Sequence, residues 1–243
     1  MKHRFSIWRY FLDGAPEYLA RHYWWAYLWK PAIWFFDHQP IINCILFGQY
    51  QRLLDQTLKQ LDGHLAGRLL QLTCVYGKLT PKLVKTRHND ALYIVDVCQE
   101  QLQASLRKLK PAEQDHLIAT RMNAENLAFS NDSFSTVLIF FLMHELPARA
   151  RKNVLLETLR VLTPGSRLLI TEYGYLPDKH WIYRFAPLRQ QLLFWEPFLD
   201  GFWREDLTEE LQKAASHWNK KITLKQKKLV FNGFYRVVCY QVD

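Results

Sequence analysis

Leu69-Leu70-Gln71-Leu72-Thr73-Cys74-Val75-Tyr76-Gly77-Lys78-Leu79-Thr80 is the stretch whose reading decides the fold. An apolar run of strand length stops at a short turn containing one glycine, and a helical pattern begins at once. Strand 68–74 and helix 80–87 therefore form a first βα unit. The same alternation continues downstream. Strand 91–97 precedes helix 100–109, and a short strand covers 116–121. The continuous apolar strand 136–142 precedes helix 148–162, which closes at Pro164-Gly165, and a fifth strand covers 167–172. An aromatic-rich insertion, 173–207, leads to helix 207–218 and two strands joined around Asn232-Gly233, a hairpin signal. Repeated βα units give a parallel sheet with right-handed crossovers, and a final hairpin adds an antiparallel strand.

Upstream the pattern is helical. Leu53, Leu54, Leu58 and Leu61 recur at helical spacing within 49–61, with Gly63 as a stop, and Pro16, Pro31 and Pro40 divide the earlier part into short helices. The chain thus divides into a helical, aromatic-rich cap over 1–62 and an α/β domain over 63–243. Its 243 residues, 49% hydrophobic, are enough for a full core. Cys44, Cys74, Cys98 and Cys239 are scattered without a CxxC pair, which favours a reduced setting over disulfides or a zinc cluster. No signal-peptide run opens the sequence, and the most apolar stretch, 31–48, is interrupted by Asp37-His38, so no spanning segment is expected.

The formal charge of +9 favours an anionic surface or ligand. Lys213, Lys220, Lys221, Lys225, Lys227, Lys228 and Arg236 occur between Leu211 and Tyr240 without an acid, while the first segment is aromatic, from Trp8, Tyr10 and Phe11 to Trp34, Phe35 and Phe36. An aromatic girdle with a basic patch suits peripheral attachment to the cytoplasmic face of an inner membrane. A large aromatic core under a solvated basic edge explains the same residues. Nucleic acid is disfavoured: no N-P-P-[YF] pocket follows the fourth strand, and the aromatics are not interleaved with Lys and Arg.

In an open parallel sheet the ligand lies beyond the carboxyl ends of the strands. Asp96 ends the second strand 19 residues after Gly77, with Val97 beside it, and is placed to accept hydrogen bonds from ribose hydroxyls or to cap the next helix. Asn123 and Ala124 follow the third strand, Phe140 lies in the fourth, and His144-Glu145 follows it. Glu172 ends the fifth. Imidazole and carboxylate oxygens at 144, 145 and 172 suit a hard divalent ion; His144 could equally be a general base, or the pair could cap a helix.

The topology and these positions resemble the Rossmann-like class I fold of S-adenosylmethionine (SAM) methyltransferases. Residues 121–129 are similar to that family's adenine-holding D-A-x-x-L-P-F segment, with Asn123 in place of the acid, and 162–168 resemble its L-K-P-G-G-x-L turn. The first crossover departs from the pattern: the usual acid is Gln71, two glycine positions hold Thr73 and Val75, and only Gly77 remains.

A closer resemblance covers nearly the whole chain. Trp24-Trp25-Ala26-Tyr27-Leu28, Ile45-Leu46-Phe47-Gly48-Gln49-Tyr50, the Cys74-Val75-Tyr76-Gly77-Lys78-Leu79-Thr80 core, Phe140-Phe141-Leu142-Met143-His144-Glu145 and Trp195-Glu196-Pro197-Phe198 resemble the rhodoquinone-biosynthesis methyltransferase-like proteins. That resemblance implies conversion of ubiquinone to rhodoquinone, exchanging a ring methoxy group for an amine, with SAM as amino donor and a divalent metal, typically manganese. On this reading Gln71, Thr73, Val75, Tyr76, Gly77, Asp96, Val97, Asn123, Ala124 and Phe140 face the cofactor. Tyr23, Tyr27 and Trp195 face the substrate, and Tyr76 or His144 relays protons. Loss of the acid at 71 favours a neutral amine, and bulk at 73 and 75 displaces the methionine end of SAM. A conventional methyltransferase acting on a quinol or phenol, and a non-catalytic scaffold, are the alternatives.

Overall fold

The computed structural model describes residues 14–62, 66–86 and 90–243. Trp8, Tyr10, Phe11 and Gly63 lie outside them. Seven strands form one sheet in the order β3-β2-β1-β4-β5-β7-β6. They are β1 Leu69–Leu72, β2 Leu92–Asp96, β3 Leu117–Arg121, β4 Phe134–Phe140, β5 Leu162–Tyr173, β6 Ile222–Val230 and β7 Tyr235–Val242. β1 to β5 are parallel, and β7 is antiparallel to both of its neighbours. The expected class I fold is thereby realised. β1 is buried at every residue and β4 at all but one, as strands covered on both faces must be.

β5 begins at Leu162, earlier than the expected 167. Phe134 pairs with Leu162 and Thr136 with Arg167, so residues 163–166 loop out of register, and Gly165 takes φ +79° there. The expected turn is therefore a bulge inside a longer strand. The terminal hairpin forms as the sequence indicated: Phe231, Asn232 and Gly233 all take positive φ between β6 and β7. Lys225, Lys227 and Lys228 lie on exposed β6, the outer strand, where charge blunts pairing with other chains. Arg236 is buried under Tyr175 and Phe202, and Lys213 pairs with Glu209 and Glu210. The basic run is thus dispersed, and three of its seven residues lie on the sheet edge.

Among the described residues five helices precede the sheet: Glu17–His22, Trp24–Tyr27, Lys30–Phe36, Gln39–Ile45 and Tyr50–Leu61. Pro16 precedes the first, and Pro31 and Pro40 occupy first turns, where a missing N–H is harmless. Tyr50–Leu61 packs directly on the sheet. Leu53 and Leu54 are fully buried, Thr57 Oγ1 lies 2.6 Å from Thr171 Oγ1, and Gln60 Nε2 donates to the Val237 carbonyl at 3.3 Å. The insertion is helical as well, in Trp181–Arg184, Ala186–Trp195 and Leu199–Arg204. Among the described residues no helix is long and apolar enough to cross a membrane.

Candidate active site

Two cavities share a wall at the carboxyl ends of the strands. The first, about 140 Å³, is chiefly apolar, with Trp25, Phe36, Ile42, Leu46, Val75, Tyr76 and Phe140 in its lining. The second is lined by Thr73, Asp96, Val97, Cys98, Asn123 and Ala124. Tyr23, Tyr27, Cys74, Phe141 and Glu145 line both.

Asp96 is held rigidly in the second chamber. Its Oδ2 accepts the Cys74 N–H at 2.8 Å and its Oδ1 the Cys98 N–H at 2.7 Å. Burial raises its carboxyl to about 6, although both N–H donors pull it down. Asn123 Oδ1 accepts the Glu125 N–H at 2.9 Å, which fixes the side chain at the chamber wall. Asp96, Val97, Asn123 and Ala124 therefore meet as the sequence indicated.

The first crossover behaves differently. Gln71 is fully buried; its Nε2 donates to the Thr73 carbonyl at 2.9 Å and its Oε1 accepts from Thr80 Oγ1 at 3.1 Å. It braces the turn and lines neither chamber, so the expected cofactor contact is corrected. Thr73 takes φ +68°, a conformation a β-branched residue adopts at some strain. Gly77 also faces away from both chambers, a second correction. Its N–H donates to Asp37 Oδ1 at 2.7 Å, and a Cβ there would lie 2.4 Å from the Tyr50 hydroxyl oxygen. Lys78 N–H donates to that hydroxyl at 2.6 Å. Tyr76 lines the first chamber, but its hydroxyl donates to the Ala26 carbonyl and accepts from Gln101, and burial raises its ionisation far above neutral pH. As a proton relay it is already engaged. The rewritten crossover holds the cap.

An imidazole and three carboxylates meet where the chambers join. His144 and Glu145 lie on the short 3₁₀ turn Met143–Glu145 after β4. Glu172, fully buried at the end of β5, accepts the N–H groups of Met143 at 2.9 Å, His144 at 3.4 Å and Tyr173 at 2.7 Å. Its Oε1 also lies 2.8 Å from His144 Nδ1, an ion-pair distance at which the ring N–H is not aligned for a hydrogen bond. The opposite ring nitrogen, Nε2, is 3.7 Å from Glu196 Oε2. Glu145 accepts from the Tyr27 hydroxyl, and Glu196 from the Tyr23 hydroxyl at 3.1 Å.

Burial alone would lower the His144 pKa, but Glu172, Glu196 and Glu145 raise it to about 9. Burial and crowding among the acids push Glu145 and Glu196 up as well, against the pull of His144. One ligand atom each from His144, Glu145 and Glu196 lies within 4.8 Å of the others. Glu172 is outside this group because its oxygens serve backbone N–H groups; it orients His144 from behind, which corrects the expected ligand set. A dication fits the donor chemistry of the other three, an imidazole nitrogen and carboxylate oxygens whose buried negative charge it would offset.

Glu196 was not singled out from the sequence, although it stood in the quoted Trp195-Glu196-Pro197-Phe198 run. Trp195, expected at the substrate, is 45% exposed and packs on Trp25 with ring centroids 4.9 Å apart, outside the chamber lining. Tyr23 and Tyr27 do face both chambers. Phe141, also missed, lines both at φ +55°.

Comparison with known proteins agrees with the fold. Residues 69–165 match the family model described as a methyltransferase domain. Demethylmenaquinone methyltransferase of Lactiplantibacillus plantarum is 32% identical over 147 residues, covering 59% of this chain and 60% of that protein. Ubiquinone/menaquinone biosynthesis C-methyltransferase UbiE of Proteus mirabilis is 31% identical over 113 residues, covering 44% of this chain and 43% of that protein. The alignments thus span less than two thirds of these relatives. The methyltransferase domain of a bacterial Hen1 superposes with a TM-score of 0.57 at 13% identity, over 79% of this chain and 98% of that one, a likeness of fold.

Proposed function

We propose that this chain is a SAM-dependent enzyme of quinone biosynthesis whose reaction is ring amination. The amino nitrogen of SAM bonds to the methoxy-bearing ring carbon of ubiquinone and methanol leaves. Two electrons then pass from the Cα–H of SAM to the ring, and water cleaves the resulting imine at the Cα–N bond, which leaves the amino-quinol (rhodoquinone in its reduced form) and the 2-oxo acid of SAM. The observation that carries this reading is the position of Glu145. It lines both chambers, so the imidazole–carboxylate cluster lies where a cofactor held at Asp96 would meet a flat apolar ring among Trp25, Phe36 and Phe140. The names of the two curated relatives support a quinone as substrate class.

Amination rather than methylation is favoured by the crossover. Its Gly77 and Lys78 N–H groups are taken by Asp37 and Tyr50, and the acid that would hold an ammonium there is Gln71. The methionine end of SAM is thereby left to seek partners toward the cluster. His144, Glu145 and Glu196 would hold a dication, which supplies Lewis acidity at a quinone carbonyl. Tyr27 and Tyr23 orient the two carboxylates, and Glu172 fixes the turn that presents His144. A second reading, methylation of a quinol, is favoured by the relatives' names; His144, held protonated at neutral pH by its carboxylate neighbours, would then stabilise the quinol oxyanion rather than take its proton.

The test is incubation of the protein with nitrogen-labelled SAM, Mn²⁺ and a short-tailed ubiquinone, followed by mass spectrometry. Labelled amine in place of methoxy is the expected product. A gained methyl group would establish the second reading. An unchanged quinone, with no SAM-induced rise in melting temperature, would leave a scaffold. Glu196→Gln should abolish the Mn²⁺-induced thermal shift while the SAM-induced shift persists.

A further inference from the structure

The apolar chamber is continuous with an exposed aromatic row. Trp25, Phe36 and Ile45 line the chamber, and Ile45 is 46% exposed. From Trp25 the row runs outward to Trp195 at 4.9 Å between ring centroids and on to Phe194 at 5.3 Å. On the other side Trp25 meets Phe36 at 5.5 Å, and Phe36 meets Phe35 at 5.3 Å. Phe194 is 73% exposed and Phe35 46%. The helix carrying Phe194, Ala186–Trp195, turns Leu188, Leu192 and Leu193 half-buried onto the core and leaves Phe194 and Trp195 outside. Side chains of this kind gathered at a cavity mouth mark a docking surface rather than scattered surface residues.

The charges of the same two segments select the partner. Residues 18–36 contain Arg21 and Lys30 and no acid; residues 179–195 contain Lys179, Arg184 and Arg189 and no acid. Counting the flanking acids, exposed Glu17 and Asp178 stand against Arg21, Lys30, Lys179, Arg184 and Arg189. Aromatic side chains in such an excess of cations complement the headgroup region of an anionic bilayer, where rings insert and Lys and Arg meet lipid phosphate. A substrate dissolved in that bilayer would then pass along the aromatic row into the chamber without crossing water.

We propose that this rim, formed by the Lys30–Phe36 and Ala186–Trp195 helices around Ile45, docks onto an anionic lipid surface and admits a lipophilic quinone from it. The entry role rests on the quinone reading above; the docking itself does not. The test is co-sedimentation with vesicles of phosphatidylcholine alone and of phosphatidylcholine mixed with phosphatidylglycerol. Wild type should sediment with the mixed vesicles and far less with the neutral ones. The double variant Phe35→Ser/Phe194→Ser, whose two positions belong to neither chamber lining, should bind the mixed vesicles roughly tenfold more weakly. It should keep its SAM-induced thermal shift and its turnover of a short-tailed quinone in solution, and lose turnover of a long-tailed quinone presented in vesicles. Failure of wild type to sediment with anionic vesicles, or equal binding by the variant, overturns the docking whatever reaction is catalysed. A dimer in sedimentation velocity that the double variant dissociates would assign the row to a second copy and overturn it too. Normal docking with neither quinone consumed supports the surface and counts against the reaction.

Discussion

Asp96 gives the site a pH dependence that can be worked out in sign. Burial raises its carboxyl from 3.8 to about 6 in the folded chain. Its ionised form is therefore a liability to the fold above that pH, relieved as pH falls through about 6. On the ribose-binding role proposed for Asp96, ligand binding would run the other way, because only the carboxylate can accept from two ribose hydroxyls. SAM affinity, measured by calorimetry, should thus fall as pH drops below about 6 while the melting temperature does not fall on this residue's account. Asp96→Asn should bind SAM weakly at all pH values and flatten the profile; an unaltered profile in that variant would remove Asp96 from the site. Its place in the chamber was legible in the sequence because one local fact fixes it, the end of a recognisable strand at a set distance from the crossover. Glu196 was not legible in the same way. Nothing local ties an acid in an aromatic insertion to a turn after β4; the two meet through packing of the Leu199–Arg204 helix on that turn and through the cap's Tyr23, which holds Glu196. Glu172 was legible as a strand-end acid, but its role depends on which N–H groups surround it, and strand position alone does not say that.

At the level of elements, the crossover and the cap act as one unit. Asp37 accepts the Gly77 N–H and pairs with Lys108, whose ammonium also donates to the Val75 and Gly77 carbonyls. A loop that elsewhere in this fold would be glycine-rich and open to a ligand is here clasped from outside. Asp37→Asn should cost roughly 1–3 kcal/mol in urea denaturation, since the charge-assisted bond and the ion pair are both weakened. It should also expose the cap to limited proteolysis before the sheet, and unchanged protease resistance would show that the clasp contributes nothing. The βα alternation revealed the strands because burial on both faces writes itself as uninterrupted apolar runs. It did not reveal the early start of β5, since Thr163-Pro164-Gly165 reads as a turn whether it ends a helix or bulges from a strand. The insertion's helices were hidden differently: Leu188 and Leu192 of Ala186–Trp195 stand at helical spacing and pack half-buried on the core, but exposed Phe194 and Trp195 beside them blur the face.

For the molecule as a whole, the question is whether cap and sheet fold as separate bodies, as the sequence division at residue 62 suggests. Tyr50–Leu61 joins the buried core of the sheet through Leu53, Leu54 and Leu61, and its Thr57 is bonded to β5. Each such leucine contributes about 1.5–3 kcal/mol by burial alone. A helix so placed cannot detach without uncovering β5 and β7, so cap and sheet should melt together. Leu53→Ala removes a fully buried side chain and should destabilise by about 2–5 kcal/mol, transfer and cavity terms combined. That loss should appear as one shared shift of the transition, whether followed by far-ultraviolet circular dichroism or by tryptophan fluorescence, which reports mainly the cap and insertion. Of the nine tryptophans, Trp24, Trp25, Trp29 and Trp34 lie in the described cap and Trp181, Trp195 and Trp203 in the insertion, so fluorescence would report an independent cap transition directly. Two separated transitions in Leu53→Ala, with fluorescence changing first, would establish the cap as a body of its own. The chambers beneath it would then open by detachment of the whole cap rather than by movement of single side chains.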